Sequence, residues 1–313
     1  MDVPRPLLTV TPNAAVDKTY LVPGFALNHV HRPQEMRVTA GGKGVNVARV
    51  YTTLGGRATA TGFVAGAGGA FIEERLAAEG IGNGFVRVPG ESRVCVAVID
   101  PVAGTQTEIN ETGPIVRAAD CDALLARLRE LLPVSCAVVL SGSMPPGTPP
   151  GLYRDIITLA QEEYGVRAVL DASGGALTEG IQARPFLVKP NLHEVRALGV
   201  ASDTASQAAR DIRERYGLPF ALVTAGARGA ALASEDGVWD AVPPPIVVQS
   251  AVGSGDSLAA GFMWALEQGK TLAEALQIGV AAGAANATSY GAGYLGRAQV
   301  MALAAQTAVR QVR

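Results

Sequence analysis

Aromatic residues make up only 5% of this 313-residue chain. Its core must therefore be built mainly from Val, Leu, Ile and Ala. Charged residues are also few, at 17%, and the formal net charge is −2. This balance provides no electrostatic footprint for nucleic acid or for an anionic membrane, so neither is an expected partner. Any anionic ligand must be held by a small number of local groups.

Cysteine is rare, with three residues that show neither a metal-ligand spacing nor a CxxC pair: Cys95, Cys121 and Cys136. They are expected to be reduced, mostly buried thiols of a cytoplasmic protein. No apolar run has the length needed to span a bilayer. The first residues also lack the basic and apolar regions of a signal peptide, so none is expected.

Motifs for covalent hydrolysis are missing as well. The sequence has no Gly-x-Ser-x-Gly elbow and no evident Cys/His pair. The histidines have no HxxxH or HExxH spacing, and we interpret them as surface or structural residues: His29, His31 and His193.

From about residue 118 onward, short apolar strands alternate with helices. A helix predicted over 120–132 precedes an apolar run at 136–140, and one predicted over 203–216 precedes a run at 220–224. This alternation predicts βαβ units and a mainly parallel sheet covered by helices on both faces. Ligands bind at loops that follow the carboxyl ends of such strands. The motifs at these positions begin at Ser141, Asp171, Lys189 and Thr224.

Two segments, at about 18–40 and 84–116, do not follow this alternation. Both contain strand-like runs, and we interpret them as two excursions that form a small β-sheet lid over the strand ends. Residues 94–99 are apolar on both faces, so one face is expected to cover the site and the other to meet a second copy in a homodimer. A monomer with a more deeply buried lid is the alternative. With no linker or repeat, residues 1–313 are expected to form a single domain.

The most informative segment is 251–266, where a Gly-rich turn opens onto an apolar helix. The turn offers the nearly unobstructed backbone amides of Gly253, Ser254, Gly255 and Asp256. At a helix N-terminus, free amides and the helix dipole form a site for an anion such as a phosphate. The Asp256 carboxylate beside it is suited to be the base that phosphoryl transfer to a hydroxyl requires. A capped helix start with an ordinary first-turn acid is the alternative.

A second Gly-rich motif, Gly-Gly-Lys-Gly-Val-Asn at 41–46, opens another predicted helix. It resembles a phosphate loop but lacks the Gly-x-x-x-x-Gly-Lys-Ser/Thr spacing. Its glycines let a polyol approach the backbone, and Lys43 and Asn46 supply donors. A turn with a solvated lysine is the alternative. The Gly-x-Gly-x-x-Gly match at 291–296 follows a small-residue helix rather than a strand, so we interpret it as a false dinucleotide fingerprint.

Two further turns follow predicted strands. Lys-Pro-Asn-Leu-His-Glu at 189–194 has the spacing of a capping box, with Asn191 at the N-cap and Glu194 three residues on. Alternatively, both side chains face a nucleotide and hold Mg²⁺ through water. The turn Thr-Ala-Gly-Ala-Arg-Gly at 224–229 is either a plain β-turn or a wrap around the phosphates or ribose of a nucleotide.

In this order, the motifs resemble those of the ribokinase-like PfkB sugar kinases. The pattern spans roughly residues 7 to 305 and comprises Asn13-x-x-x-Asp17, Gly-Gly-Lys-Gly-x-Asn, Lys-Pro-Asn-x-x-Glu, Thr-x-Gly-x-x-Gly and Gly-x-Gly-Asp-Ser. The resemblance implies ATP-dependent phosphorylation of a sugar hydroxyl, a ribokinase-like Rossmann-type core and a lid that often pairs in a homodimer. One departure is Ser254, where the family commonly has Ala. Because the backbone amides do the binding, Ser254 should be tolerated.

Three further segments are similar to the phosphosugar branch of the family: Ser141–Gly147, Thr107–Pro114 and Ser92-Arg93. The Ile-Asn-Glu-x-Gly-Pro form and Arg32 favour the fructose 1-phosphate kinases, which produce fructose 1,6-bisphosphate. Kinases of tagatose 6-phosphate or fructose 6-phosphate are the alternatives. A sugar-phosphate sensor that kept the fold and lost turnover is a further alternative, which has little reason to retain Asp256.

Carried over position by position, the resemblance implies a role for each site residue. Asp256 is the base, and the 253–256 amides stabilise the transferring phosphoryl group. Sugar hydroxyls would be bound by Asp17, Gly42, Lys43 and Asn46. The substrate phosphate would be approached by Arg93 and Ser141, and Lys43 and Arg93 supply the extra cations that such a substrate needs. The nucleotide–Mg²⁺ side would comprise Lys189, Asn191 and Glu194, with Asn191 and Glu194 as the metal residues. ATP would be contacted by Thr224, Gly226 and Gly229, and adenine by Asn286.

Overall fold

The computed structural model describes residues 4–312. An eleven-stranded sheet forms the centre of the fold. Residues 1–3 and 313 of the predicted 1–313 domain, and with them the first three residues of the segment in which no signal peptide is expected, lie outside the described residues. The strands are β1 (Leu7–Thr11), β2 (Ala15–Leu21), β3 (Glu35–Gly41), β4 (Ala58–Val64), β5 (Gly82–Asn83), β6 (Val86–Arg87), β7 (Arg93–Asp100), β8 (Thr105–Asn110), β9 (Ala137–Ser141), β10 (Arg167–Asp171), β11 (Leu187–Val188), β12 (Phe220–Thr224), β13 (Ala230–Ser234), β14 (Gly237–Val242) and β15 (Ala308–Val312).

Helices connect these strands. They are α1 (Lys43–Thr53), α2 (Gly66–Ala78), α3 (Ala118–Leu131), α4 (Leu152–Thr158), α5 (Gly174–Gly180), α6 (Ala205–Tyr216), α7 (Ser254–Glu267), α8 (Leu272–Ala287) and α9 (Arg297–Ala304). A π-helical turn, Leu159–Glu163, continues α4, and short 3₁₀ segments span Leu132–Val134, Ile181–Ala183, Glu194–Leu198 and Gly226–Arg228. Within residues 4–312, no helix combines the length and apolar character needed to cross a membrane.

The main sheet is parallel over most of its width. Strands β5, β4, β1, β9, β10, β11 and β12 are neighbours in this order and run parallel, and β6 also pairs with β4. At the far edge, β13, β14 and β15 continue the sheet in antiparallel pairs. The predicted α/β architecture with a mainly parallel sheet is confirmed.

Side chains of the central strands alternate between two aliphatic cores, one on each face of the sheet. In β1, Leu7 joins the core that also contains residues of α1, α7 and α8. Its neighbours Leu8 and Val10 join the core that contains residues of α3, α4 and α6. Because both faces are buried, these strands are continuous apolar runs.

Helices α7 and α8 approach each other closely because glycines lie at their contact. A Cβ atom on Gly279 would come within 2.9 Å of the carbonyl oxygen of Leu258, and one on Gly283 within 3.0 Å of that of Ser254. Such distances are shorter than ordinary van der Waals contacts, so a larger residue would push the helices apart. The small residues of α8 therefore fix where α7 begins.

The smaller sheet contains four strands in the order β3, β2, β7, β8. Strands β2 and β7 are parallel, and the other two pairs are antiparallel. The second predicted excursion, 84–116, contributes only β7 and β8 to it. Strand β6 pairs with β4 of the main sheet instead, because the parallel edge of β4 has backbone groups that need partners.

Candidate active site

A cavity of about 1120 Å³ lies at the carboxyl edge of the parallel strands and is lined on one side by the small sheet. It exceeds the ~300–1,000 Å³ of a typical small-molecule pocket, so two small ligands fit together. The predicted site residues that line it are Asp17, Gly42, Lys43, Asn46, Arg93, Lys189, Asn191, Glu194, Thr224, Gly226, Gly229, Gly253, Ser254, Gly255 and Asp256. Two others, Ser141 and Asn286, do not line it.

The Gly-rich turn before α7 has a backbone that only glycine adopts easily. Gly253 has a φ of 83°, and a Cβ atom there would lie 2.6 Å from the Cβ of Ala292. The amide of Ser254 donates to the carbonyl oxygen of Ala251 at 3.2 Å. This amide is committed to the turn, which corrects the prediction that all four amides are open to an anion. The amides of Gly255 and Asp256, in the first turn of α7, have no intrahelical acceptor.

Asn286 supports this turn from below. Its side chain is fully buried, and its Nδ2 donates to the carbonyl oxygen of Val252 at 2.7 Å and to the hydroxyl of Ser254 at 3.3 Å. Its Oδ1 accepts from the amide of Gly293 at 2.7 Å. These bonds use the side chain within the protein, so the predicted contact of Asn286 with adenine is wrong for this geometry. They also show that the Ser254 hydroxyl accepts a hydrogen bond from the Asn286 side chain.

Asp256 lies in the first turn of α7 with only 6% of its surface exposed. Its Oδ2 accepts a hydrogen bond of 2.9 Å from Nδ2 of Asn46. Burial, together with the nearby charge of Asp171, raises the pKa of Asp256 from 3.8 to about 6, against the opposing effect of Lys43 and of the Asn46 bond. The group is thus a stronger base than an ordinary aspartate and is ionised at neutral pH.

Asp171, at the end of β10, forms ion pairs with two lysines of the cavity. The Nζ of Lys189 lies 3.0 Å from its Oδ2, and the Nζ of Lys43 lies 3.6 Å from its Oδ1. Burial alone would raise the pKa of Asp171, but the two ammonium groups outweigh it and hold the pKa below its usual value. The same carboxylate raises the pKa of Lys43, so this lysine is held charged beside Asp256.

On the small-sheet side, Asp17 lies against Gly41, where even a Cβ atom would overlap its carboxylate. Burial raises the pKa of Asp17 to about 6, and Arg93 and Arg49 oppose this shift. The Nε of Arg93 donates to the carbonyl oxygen of Asn13 at 3.1 Å. The inner face of the sheet thus presents an acceptor and a cation to the cavity.

Gly42 joins the small sheet to α1. It is the single residue between the end of β3 and the start of α1, and its φ is 104°. A Cβ atom there would lie 2.7 Å from Cγ2 of Thr11, so glycine is required by both conformation and space.

At the opposite side of the cavity, the 189–194 turn is closed by its own side chains. Oδ1 of Asn191 accepts from the amides of His193 and Glu194 at 2.8 and 3.0 Å, and Oε2 of Glu194 accepts from the amide of Asn191 at 2.9 Å. The capping interpretation is therefore realised, and the Asn191 oxygen is occupied rather than available as a metal ligand. Within residues 4–312, no group of three His, Cys, Asp or Glu side chains is placed to hold a metal ion.

Ser141 differs from its predicted position at the substrate phosphate. It is the last residue of β9, fully buried, and its hydroxyl does not reach the cavity. The side chains of a parallel strand alternate between its two faces, and the residue type alone does not say which face Ser141 occupies.

Sequence reasoning missed Arg49, a buried cation behind the site. It lies on α1, three residues after Asn46, and only 4% of it is exposed. A charged residue within the otherwise apolar and small-residue face of α1 was the available signal, because residues three apart share a face.

A model of the pfkB family carbohydrate kinases matches residues 10–297. The chain belongs to this family. A 1-phosphofructokinase of Rhodobacter capsulatus is 37% identical over 280 residues, or 88% of each chain. A tagatose-6-phosphate kinase of Staphylococcus epidermidis is 34% identical over 295 residues, or 92% of this chain and 94% of that one. The tetrameric inhibited form of phosphofructokinase-2 from Escherichia coli is similar with a TM-score of 0.88 and 28% identity, covering 96% and 99% of the two chains. The predicted family, fold class and kinase assignment are confirmed.

Replacing Asp256 of this carbohydrate kinase by Asn should raise its melting temperature at pH 8. The folded state binds the Asp256 proton more tightly than the unfolded state, since the pKa rises from 3.8 to about 6. Ionisation through this range therefore opposes folding as pH increases. We expect a gain of at least about 2 °C at pH 8, because 1 kcal/mol corresponds to about 2–4 °C in a large domain, and a smaller gain at pH 5.

Circular dichroism melts at both pH values measure this effect. Asp122→Asn, which changes an exposed acid of α3, is the control and should leave the melting temperature unchanged. A lower melting temperature for Asp256→Asn at pH 8 would show that the ionised carboxylate stabilises the fold.

Proposed function

We propose that this kinase transfers the terminal phosphoryl group of ATP to a hydroxyl of a phosphorylated hexose, and that fructose 1-phosphate is the acceptor. The observation that carries the proposal is the buried Asp256 carboxylate beside the first-turn amides of α7. The 37% identity to a 1-phosphofructokinase supports this choice of acceptor.

In the proposed reaction, Asp256 is the general base. Its carboxylate accepts the proton of the acceptor hydroxyl while that oxygen bonds to the γ-phosphorus. The bond from phosphorus to the bridging oxygen breaks, and its electron pair leaves on ADP. The amides of Gly255 and Asp256, with the dipole of α7, stabilise the charge on the transferring group. The bond from Asn46 orients the base.

We assign the phosphohexose to the small-sheet end of the cavity. Asp17 supplies an acceptor for sugar hydroxyls there. Lys43 keeps 40% of its side chain exposed despite its pairing with Asp171, and Arg93 directs one N–H group to the backbone while its fork carries four others. These two cations suit the phosphate that the acceptor already carries.

We assign ATP to the opposite end, between the 224–229 turn and α8. The wall there includes Ile246, Ala284 and Ala287, and such an apolar slot suits a planar base. This assignment takes over the adenine contact first predicted for Asn286. Mg²⁺ is expected on the phosphates of ATP, where it would neutralise charge, and Glu194 is the cavity carboxylate that fits it through water.

Tagatose 6-phosphate is the second candidate acceptor, because a tagatose-6-phosphate kinase is 34% identical over most of the chain. Fructose 6-phosphate is the third. All three need similar cations around a similar ring, so kcat/KM for the three substrates is the deciding measurement. The sensor alternative is disfavoured by the base, which a binding protein does not need.

The outer face of the small sheet supports a homodimer formed through the lids. By register, Tyr20, Met36 and Val98 lie side by side on the face opposite Asp17 and Cys95, and Met36 and Ile109 are 58% and 63% exposed. The apolar side chains of this face, which also carries Lys18, need a cover, and a second copy provides it by two-fold symmetry. We retain the cytoplasmic location predicted from the sequence.

Asp256→Asn should remove most of the turnover and leave ATP binding nearly intact. A general base contributes about 10²–10⁴-fold, so kcat should fall at least ~100-fold. In the wild-type enzyme, kcat/KM should fall as pH drops below about 6, because protonation of Asp256 removes the base. Steady-state assays with fructose 1-phosphate and ATP measure both effects. A variant that keeps more than a tenth of wild-type kcat would exclude Asp256 as the base.

Arg93→Ala should raise KM for the phosphohexose by roughly 10–150-fold, since it removes a charge-assisted contact of about 1.5–3 kcal/mol. KM for ATP should change little. Arg228→Ala, which removes a cation from the opposite side of the same cavity, is the matched control. The assignment of the two ends is reversed if Arg93→Ala weakens ATP and spares the sugar phosphate.

Val98→Glu should dissociate the proposed dimer, because it buries a charge in the lid contact. Light scattering should give about twice 32.1 kDa for the wild-type protein and the single mass for the variant. Val102→Glu, at a 77% exposed valine outside the strands, should remain dimeric. A fully active wild-type monomer would contradict the proposed assembly.

A further inference from the structure

Arg49 is a buried cation, and its guanidinium has polar partners on several sides. Its Nη1 donates to Oδ1 of Asn46 at 3.1 Å, and its Nη2 donates to the carbonyl oxygen of Ala40 at 2.7 Å. Its Nε pairs with Oε2 of Glu79 at 2.7 Å, and its guanidinium lies 4.6 Å from the centre of the Tyr294 ring. The guanidinium is thus held in one place by groups on several sides.

The contact with Asn46 decides which way that amide faces. A carboxamide can present either its oxygen or its nitrogen to a neighbour, but a guanidinium has only donors. With Arg49 on one side, the oxygen of Asn46 must face Arg49 and the nitrogen must face Asp256. The reverse orientation would place two acceptors against each other at Asp256 and two donors against each other at Arg49.

We propose that Arg49 is a positioning residue for phosphoryl transfer: it fixes the Asn46 amide with its nitrogen toward Asp256, and so holds the base ionised and in one orientation. Arg49 does not line the main cavity, so it is placed to act on the base through Asn46. The inference rests on the proposed role of Asp256 as base.

Arg49 also contacts two backbone segments next to the site. Its Nη1 donates to the carbonyl oxygen of Ala292 at 3.3 Å, and Ala292 packs against Gly253 of the turn before α7. Its contact with Ala40 lies at the end of β3. A test must therefore separate an effect on the Asn46 amide from a general loosening of these segments.

The ionisation of Asp256 provides that separation. The charged and titratable groups that act on its carboxylate come from β10, α1 and the residue after β11, and Asp17 of β2 is also coupled to it: Asp171, Lys43, Lys189 and Asp17. Arg49 contacts Asn46 and not the Asp256 carboxylate, so its removal should change the Asp256 pKa through the Asn46 hydrogen bond, which lowers that pKa.

The experiment is a ¹³C-carboxyl NMR titration of Asp256, assigned with Asp256→Asn, together with the pH profile of kcat/KM. Arg49→Met should raise the Asp256 pKa and the acidic limb of the profile by about 1 pH unit. Arg49→Lys keeps a cation beside Glu79 and should preserve the fold. Its single ammonium group cannot donate to Asn46 and to the carbonyl oxygens of Ala40 and Ala292 at the same time. Arg49→Lys should therefore show the same shift, and it serves as the test if Arg49→Met does not fold.

Two comparisons make the result specific. In an Asn46→Ala background, replacing Arg49 should add no further shift, because the amide through which it acts is gone. Arg167→Met removes another arginine with both an acidic and an aromatic partner, Glu267 and Phe186, and should leave the titration unchanged.

The inference is overturned if Arg49→Lys keeps the wild-type titration, or if the shift persists in the Asn46→Ala background. Failure of the proposed function looks different: the wild-type enzyme would then show no turnover with any phosphohexose, while the NMR titration would still report whether Arg49 controls the Asp256 carboxylate.

Discussion

The rest of the site depends on the buried ion pair between Asp171 and Lys189. Burying a carboxylate is costly unless a cation accompanies it, and Lys189 approaches to 3.0 Å from the neighbouring strand end. Lys43 joins the same carboxylate from α1. One acid therefore holds two cations, one from each side of the cavity, at the place where the start of α7 presents Asp256. Without Asp171, these two ammonium groups would repel each other across the site.

This arrangement places charge where folding does not favour it. Asp256 and Asp17 both have pKa values raised to about 6 by burial, so at neutral pH the native state holds carboxylates in an environment that favours their protonated forms. Packing elsewhere must compensate, and the two aliphatic cores on either face of the sheet provide it. Function and stability thus make opposite demands on the same side chains.

Local patterns predicted the parts of the molecule that depend on neighbours in sequence. The apolar runs and helices after residue 118 predicted the parallel sheet, and the Gly-rich turn before Asp256 predicted a helix start at an open edge. Properties that depend on distant residues were not predictable. Ser141 was predicted to follow its strand but is the last residue of it and is buried. Asn286 has a polar side chain that is used entirely for bonds within the protein. Arg49 is held in place partly by Ala292 and Glu79, which are remote in the chain, so its fixed position was not predictable.

Because β3 continues through Gly42 directly into α1, the position of the small sheet is linked to the position of the side chains around Asp256. With a single residue between strand and helix, any swing of the sheet also turns the first residues of α1, which carry Lys43 and Asn46. A sugar phosphate that draws the sheet inward would thereby set the ammonium and the amide around Asp256 in the same movement.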